Sequence, residues 1–301
     1  MPNTVELENV CKSYDHFVAV DALSVEIRAG SVYGLLGPNG AGKTSTIRMM
    51  IGITVPDSGA IRLFGEPFRR PHLSSIGYLP EERGLYKRMK LLDQLVFLAE
   101  LKGVPAAEAA RKAAWWCERL ELSAWMGKKV EELSKGMQQK VQFIATLLHD
   151  PALLILDEPF AGLDPANVVA LKDVLLEMKQ AGKTILFSTH RMDQVERLCD
   201  SICLIDHGKA VLQGDLKQIK AKFGRHDVQL KYEGEDGFLS DCELVQSFNN
   251  YGNYVEVRLK PGADPQELLR RAASRARVDK FELMEPSLEE IFLEVVGRRD
   301  A

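Results

Sequence analysis

The sequence has few cysteines, no long apolar run and no excess of charge of one sign. The five cysteines, Cys11, Cys117, Cys199, Cys203 and Cys242, are scattered without a C-x-x-C pair. This favours reduced thiols over a disulfide framework or a metal site. No stretch approaches the roughly 20 apolar residues that span a bilayer. The 39 basic residues nearly balance the 43 acidic ones, which argues against a general nucleic-acid-binding protein.

The first residues contain neither the basic nor the apolar segment of a secretion signal. We therefore expect a cytoplasmic protein, or one peripheral on the cytoplasmic face of the cell membrane. The length of 301 residues, 46% of them hydrophobic, is enough for two cores. A new series of strand patterns begins after about residue 222. We therefore predict one domain over residues 1–222 and a second over 223–301.

A glycine-rich run matches the pattern G-x-x-x-x-G-K-[ST] without a mismatch. It comprises Gly37, Pro38, Asn39, Gly40, Ala41, Gly42, Lys43 and Thr44, with Ser45 after it. The apolar residues 31–36 before it predict a buried strand, and residues 45–51 predict a helix. Strand, glycine loop and helix together are the context that this motif needs.

The residue types of this run fit a nucleoside triphosphate. Glycines lack Cβ atoms, so successive N–H groups can turn inward around an anion. The N-terminus of the following helix adds to the attraction. Lys43 can reach the β and γ phosphates, and the Thr44 hydroxyl can ligate Mg²⁺. The alternative is a glycine-rich turn that binds nothing, which the strand and helix make less favourable.

Polar residues follow two further apolar runs. Asp157 and Glu158 follow residues 153–156, and His190 comes soon after residues 185–187. The carboxyl ends of strands in an open α/β sheet form the rim at which ligands bind. Asp157 can hold Mg²⁺ there, Glu158 can accept the proton of the attacking water, and His190 can contact the γ phosphate. The alternatives are a helix-capping acidic pair and an ordinary loop histidine.

A helical block over about residues 85–150 separates these runs. Helical periodicity is predicted over residues 91–101, 106–120 and 135–149, and again over 168–180 beyond the block. Ser134, Lys135, Gly136 and Met137 open the third of these helices. Its N-terminus and the Ser134 hydroxyl form a second candidate anion site. One nucleotide can use both sites only if two chains face each other.

These residues together resemble the ATP-binding subunit of an ABC transporter over about residues 4–220. Residues 37–44 resemble the Walker A loop, residues 133–137 the signature and residues 153–158 Walker B. Asp164 falls in the position of the D-loop, and His190 in that of the switch histidine. Tyr14, which by spacing alone suits a strand end, falls where the family has its adenine-stacking aromatic residue.

The resemblance implies an α/β fold, a P-loop NTPase of ABC type with a mixed sheet core and a helical subdomain. The strand and helix patterns of residues 223–301 predict a small α+β domain. The stretch 286–296 resembles an extension of some prokaryotic ABC-2 exporter ATPases. ATP and Mg²⁺ are implied as ligands, with Thr44, Asp157 and Glu81 around the metal. Glu81 stands where the family usually has Gln, and Lys135 and Met137 stand where its signature has Gly and Gln.

The implied activity is ATP hydrolysis in which Lys43, Glu158 and His190 act on the γ phosphate or the water. The implied partners are a second ATP-binding subunit, either identical or different, and an integral membrane permease. No nucleic-acid partner is expected. Export is the direction that the C-terminal extension favours. A soluble ABC-type ATPase acting on ribosomes or DNA is the first alternative, and a P-loop kinase is the second.

Overall fold

The computed structural model describes residues 2–82, 84–223, 227–234, 237–240, 243–284 and 286–297. The chain forms two compact units, Met1–Asp215 and Leu216–Ala301. Among the described residues no helix has both the length and the apolar character needed to cross a bilayer. Cys242 lies outside the described residues, and Cys11, Cys117, Cys199 and Cys203 are free thiols.

The first unit contains two sheets with helices around them. Its strands are β1 Asn3–Tyr14, β2 Phe17–Arg28, β3 Val32–Leu36, β4 Ser58–Leu63, β5 Glu66–Pro67, β6 Ile76–Leu79, β7 Leu153–Asp157, β8 Thr184–Thr189, β9 Ser201–Asp206 and β10 Lys209–Asp215. Its α-helices are α1 Lys43–Met50, α2 Leu91–Glu100, α3 Ala106–Arg119, α4 Lys135–Leu147, α5 Pro165–Gln180 and α6 Met192–Glu196. Short 3₁₀ helices cover Arg70–Ser75, Ser123–Trp125 and Val130–Glu132.

The larger sheet has the strand order β10-β9-β3-β8-β7-β6. Neighbouring strands from β9 to β6 pair in parallel, and β10 pairs antiparallel with β9. Every residue of β3, β7 and β8 is buried, as expected for parallel strands covered on both faces. The smaller sheet, β2-β1-β4-β5, is antiparallel. This mixed sheet core confirms the predicted fold class.

The helical block predicted from periodicity is present as α2, α3 and α4. The apolar stripe of α2 is buried through Leu91, Leu95 and Ala99, as its spacing requires. The helix expected over 168–180 begins earlier, at Pro165, because Asp164 caps it and proline suits the first helical turn. The helix expected after the glycine loop also begins earlier, at Lys43.

The second unit is a small α+β fold, as predicted. It contains α7 Leu216–Lys222, β11 Asp227–Glu233, α8 Gly237–Ser240, β12 Val245–Asn250, β13 Val255–Leu259, α9 Pro265–Arg275, β14 Arg277–Met284 and α10 Leu288–Gly297. Its antiparallel sheet has the order β12-β13-β11-β14. Alternate residues of β11 and β13 are buried in one apolar cluster with Leu268 and Ala272 of α9, which gives this unit a core of its own.

Candidate functional site

The predicted site residues lie at the carboxyl ends of adjacent parallel strands in the first unit. The glycine loop follows β3, Glu81 comes shortly after β6, Glu158 follows β7 and His190 follows β8. The register pairs Asp157 with Ser188, so the ends of β7 and β8 are level. The topology therefore gathers residues as far apart in the sequence as Gly37 and His190 at one edge of the sheet.

The glycine loop is built at two positions that only glycine fits. A Cβ atom on Gly37, whose φ is +149°, would lie 2.1 Å from the carbonyl oxygen of Ile205. A Cβ atom on Gly42, whose φ is +107°, would lie 2.3 Å from the carbonyl oxygen of Ala19. These contacts are far shorter than van der Waals distance, so the loop packs its backbone directly against β9 and β2. At Gly40, with φ +81°, the space is open and the backbone angle alone favours glycine.

Lys43 lies folded over its own loop. Its Nζ donates hydrogen bonds to the carbonyl oxygens of Gly37 at 2.7 Å and Pro38 at 3.0 Å. The side chain is buried, and this burial lowers the pKa of Lys43, while the nearby carboxylates of Glu158, Asp157 and Glu81 oppose the shift. A buried ammonium group is stabilised by anionic partners. Phosphate oxygens would therefore bind Lys43 more strongly than the two carbonyl oxygens that they would replace.

Asp157 is buried with one oxygen satisfied and one free. Ser188 donates a short hydrogen bond from its hydroxyl to Oδ1 of Asp157, whereas Oδ2 has no hydrogen-bond partner among the described residues. An unpaired carboxylate oxygen that is 1% exposed is costly unless a cation or a donor meets it. The residues therefore fit a hard divalent cation with oxygen ligands.

No group of three His, Cys, Asp or Glu side chains converges as a ready metal cage in the described part of the chain. This agrees with the chemistry of Mg²⁺, which commonly binds through one or two carboxylates together with substrate phosphates and waters. Nucleotide phosphates would then complete the coordination that Asp157 begins.

Both carboxylate oxygens of Glu158 accept hydrogen bonds, and its backbone conformation is strained. Its φ of 48° lies in the left-handed region, which costs free energy for a residue with a Cβ atom. Thr189 donates its hydroxyl hydrogen to Oε2 at 3.1 Å. The backbone N–H of His190 donates to Oε1 at 3.0 Å, and Nδ1 of His190 lies 2.8 Å from the same oxygen. The carboxylate is thereby fixed in place at the edge of the cavity.

One cavity of about 320 Å³ joins these groups. Of the predicted residues it is lined by Tyr14, Asn39, Gly40, Gly42, Lys43, Thr44, Ser45, Glu81, Asp157 and Glu158. The carbonyls of Gly37 and Pro38 hold Lys43, and the carbonyl of Ala41 accepts from the N–H of Gly208 at 3.0 Å. His190 does not line the cavity, but it is hydrogen-bonded to Glu158, which does. Tyr14 is 39% exposed, so its ring is accessible to a planar ligand.

The predicted signature residues do not line this cavity. Ser134 caps α4, and its hydroxyl oxygen accepts from the N–H of Met137 at 3.2 Å. Lys135 is exposed and Gly136 is half-buried, and a Cβ atom on Gly136 would lie 3.6 Å from the side chain of Leu163, an ordinary van der Waals contact. Asp164 caps α5 by accepting from the N–H of Asn167 at 3.0 Å. The α4 N-terminus is thus a second potential anion site next to the 162–164 turn.

Several residues of the site were not found by sequence reasoning. Phe17 and Ala19 line the cavity, and Ser188 and Thr189 hold the two carboxylates. The pairing of Tyr14 with Phe17 across the β1–β2 hairpin was a usable signal for Phe17. The polar end of the apolar run 184–187 was a signal for Ser188 and Thr189.

A larger cavity, about 710 Å³, lies wholly in the second unit. It includes Arg258, which donates to both carboxylate oxygens of Asp227 at 2.9 Å. Neither a glycine-rich phosphate loop nor an unpaired buried carboxylate adjoins it among the described residues. Its size alone does not make it a nucleotide site, since the residues suited to phosphate and a cation line the smaller cavity.

Comparison with known proteins identifies the family. The family model described as "ABC transporter" matches residues 20–161, and the model described as "ATP-binding protein DrrA1-3-like, C-terminal domain" matches residues 214–296. The chain is 45% identical over 291 residues to the "Uncharacterized ABC transporter ATP-binding protein YhaQ" of Bacillus subtilis (strain 168), covering 97% of this chain and 98% of that protein. It is 34% identical over 301 residues to the "Nod factor export ATP-binding protein I" of Sinorhizobium fredii (strain NBRC 101917 / NGR234), covering 98% and 86%.

A solved structure described as "Structure of ATP binding subunit of ABC transporter" superposes with a TM-score of 0.68 at 32% identity, covering 73% of this chain and 93% of that one. Subunits of this family form dimers and act together with membrane permeases. The chain therefore belongs to the ATP-binding subunits of ABC transporters and is an ATPase.

Proposed function

We propose that two ATP molecules are held between two such subunits, each by the glycine loop of one chain and the Ser134 helix N-terminus of the other. The observation that carries this proposal is the distribution of the two anion sites. Lys43, Thr44 and Glu158 line the cavity, and residues 134–137 do not. A head-to-tail pair brings both sites onto one nucleotide, and the partner is either an identical chain or a related one.

Within each site the residues have distinct roles in this proposal. Lys43 leaves the carbonyls of Gly37 and Pro38 and binds the β and γ phosphates. Glu158 accepts a proton from the attacking water, because its carboxylate is already oriented by Thr189 and His190. Tyr14 stacks on the adenine ring. His190, through its bond to Glu158, responds to the loss of the γ phosphate.

Magnesium is the proposed metal, with Thr44, Asp157 and Glu81 as the residues that hold it. The buried, unpaired Oδ2 of Asp157 and the presence of Glu81 on the cavity wall support this set. The ion would neutralise charge on the β and γ phosphates.

In this proposal the free energy for transport comes from the different affinities of ATP and ADP for the closed pair of subunits. ATP stabilises the closed pair because its γ phosphate contacts Ser134 of the facing chain, and ADP lacks that contact. Closing and opening of the pair drive an integral membrane permease, so the chain acts at the cytoplasmic face of the membrane. The proposed docking surface for the permease is the groove between the loop 81–90 and the helical block. Among the described residues of that loop, the exposed Tyr86 packs edge-on against Phe97 of α2.

Export is the proposed direction of transport. It is supported by the similarity over nearly the whole chain to a Nod factor export ATP-binding protein. The second unit, residues 216–301 in the structure, is proposed as an accessory domain, while the preceding residues form the ATP-binding domain.

The test uses the variant Glu158→Gln, in which the carboxylate that accepts the proton is replaced by an isosteric amide. Purified variant should bind ATP, release no phosphate and elute as a dimer with ATP and as a monomer with ADP. Monomeric Glu158→Gln at saturating ATP, with persistent phosphate release, would contradict the sandwich. Recovery of the native chain from membranes with ribosomes or DNA, and with no membrane protein, would contradict the transport role.

A further inference from the structure

Gln142 of α4 holds the loop that carries Glu81. Its side chain is buried, 5% exposed, and its Nε2 donates to the carbonyl oxygens of Pro80 at 3.3 Å and Glu82 at 3.2 Å. These two carbonyls belong to the residues on either side of Glu81. A single amide group thus fixes the backbone on both flanks of one carboxylate.

The side-chain amide of Gln142 uses its donors for this loop, while its oxygen is unpaired in the described part of the chain. Its Oε1 is buried and has no hydrogen-bond partner among the described residues, so a buried polar group is retained here at a cost. An apolar side chain of similar volume would remove that cost. The two bonds to the Glu81 loop are therefore the feature of Gln142 that calls for a functional explanation.

Glu81 depends on its backbone for its direction. The residue is exposed and lies on the wall of the cavity with Thr44, Asp157 and Glu158. An exposed glutamate samples several rotamers, so the position of its main chain determines whether the carboxylate can meet a cation beside Asp157. A functional group must be held to within about 0.5 Å to act reliably, so the placement of this loop matters for any contact of Glu81 with a cation.

We propose that Gln142 is a positioning residue for metal binding, which aims Glu81 at the cation held by Asp157. This inference rests on the proposed function, because the cation accompanies the nucleotide. Gln142 belongs to the same helix that Ser134 caps and lies eight residues, or about 12 Å, further along its axis. The metal-facing loop and the anion-binding helix N-terminus are therefore tied to one rigid element.

The experiment measures equilibrium binding of Mn²⁺ by electron paramagnetic resonance of the free ion, with full-length protein and saturating adenylyl-imidodiphosphate. Gln142→Met keeps the volume and removes the donors. It should weaken Mn²⁺ affinity about tenfold, as removal of an outer-shell partner typically does. Glu81→Gln should weaken it as well, and the double variant should bind no more weakly than Glu81→Gln, because Gln142 acts through Glu81.

Gln138 supplies the matched control. It lies on the same helix and its Nε2 also donates to two carbonyls, those of Val130 at 3.2 Å and Leu133 at 3.0 Å, but it does not touch the Glu81 loop. Gln138→Met should leave Mn²⁺ affinity unchanged. If Gln142→Met fails to fold by circular dichroism, Gln142→Asn, whose shorter side chain cannot reach both carbonyls, replaces it.

The proposal is overturned if Gln142→Met binds Mn²⁺ as tightly as the native protein, if Glu81→Gln has no effect, or if the losses of the two variants add. ATP-dependent dimerisation of the Glu158→Gln protein in the presence of Mg²⁺ separates this failure from that of the proposed function. Monomers there would refute both proposals, whereas dimers confine the failure to Gln142.

Discussion

Glu158 and His190 meet at a single carboxylate oxygen. Oε1 of Glu158 accepts the backbone N–H of His190 at 3.0 Å and lies 2.8 Å from Nδ1 of the same residue. Oε2 is held separately by the Thr189 hydroxyl. The proposed base is therefore oriented by two consecutive residues of the neighbouring strand end, and only one of its contacts involves the imidazole.

Replacing His190 by alanine should separate hydrolysis from binding. Glu158 keeps the backbone N–H and the Thr189 hydroxyl, so the fold and ATP affinity should be retained. The carboxylate loses one of its three restraining contacts, and kcat should fall roughly 100-fold, the lower end of the range for acid–base contributions. Steady-state phosphate release and fluorescent-nucleotide binding measure the two effects. An unchanged kcat would show that the backbone contact alone is sufficient.

Two substitutions of Ser134 should separate its capping role from its role toward phosphate. Ser134→Ala removes the cap on Met137 and should cost about 1 kcal/mol in unfolding free energy. Ser134→Asp keeps a capping oxygen at the helix N-terminus, so its stability in urea should match the native protein. It adds negative charge where the partner's γ phosphate is proposed to bind, and ATP-dependent pairing should be lost. Normal pairing of Ser134→Asp would exclude that contact.

His149 should make stability depend on pH. Its Nε2 lies 3.0 Å from the carbonyl oxygen of Ile76 and therefore carries the proton, which leaves Nδ1 buried without a partner among the described residues. Burial lowers the pKa of His149 below its ordinary value of 6.5, and the Ile76 carbonyl partly opposes this. The unfolded chain thus takes up a proton before the folded chain does.

The sign of the effect follows from this order. The contribution of His149 to stability is complete above pH 6.5 and is lost as pH falls toward the lowered pKa. His149→Gln can keep the donor to Ile76 and cannot titrate, so its unfolding free energy should fall less between pH 7 and 5. Urea titrations across that interval measure the difference. Equal slopes for the two proteins would show that His149 is not buried in this way.

The parts of the site found from the sequence are those whose chemistry is local. The glycine loop is contiguous, and Asp157 and Glu158 directly follow an apolar run that ends at the sheet edge. The α/β character of the first unit and the α+β character of the second were predicted for the same reason, since apolar runs and helical periodicity are visible in short segments. The ABC-type fold was implied by the resemblance of the motifs to that family.

The parts that were missed depend on register between distant segments. Ser188 meets Asp157 because β7 and β8 align at that residue, and Gln142 reaches the Glu81 loop across 60 or more residues. Neither pairing has a signal in local spacing. The strand Val245–Asn250 was also missed, because it lies at a sheet edge and four of its six residues are polar.

Mixing of two inactive variants tests the central claim most directly. In a background of Glu158→Gln, one chain carries Lys43→Ala and the other Ser134→Asp. Each alone has no intact site, since every nucleotide needs Lys43 from one chain and Ser134 from the other. A mixed pair has one intact site, so size exclusion with ATP should show dimers for the mixture and monomers for each variant alone. A mixture that stays monomeric where Glu158→Gln itself dimerises would contradict the account.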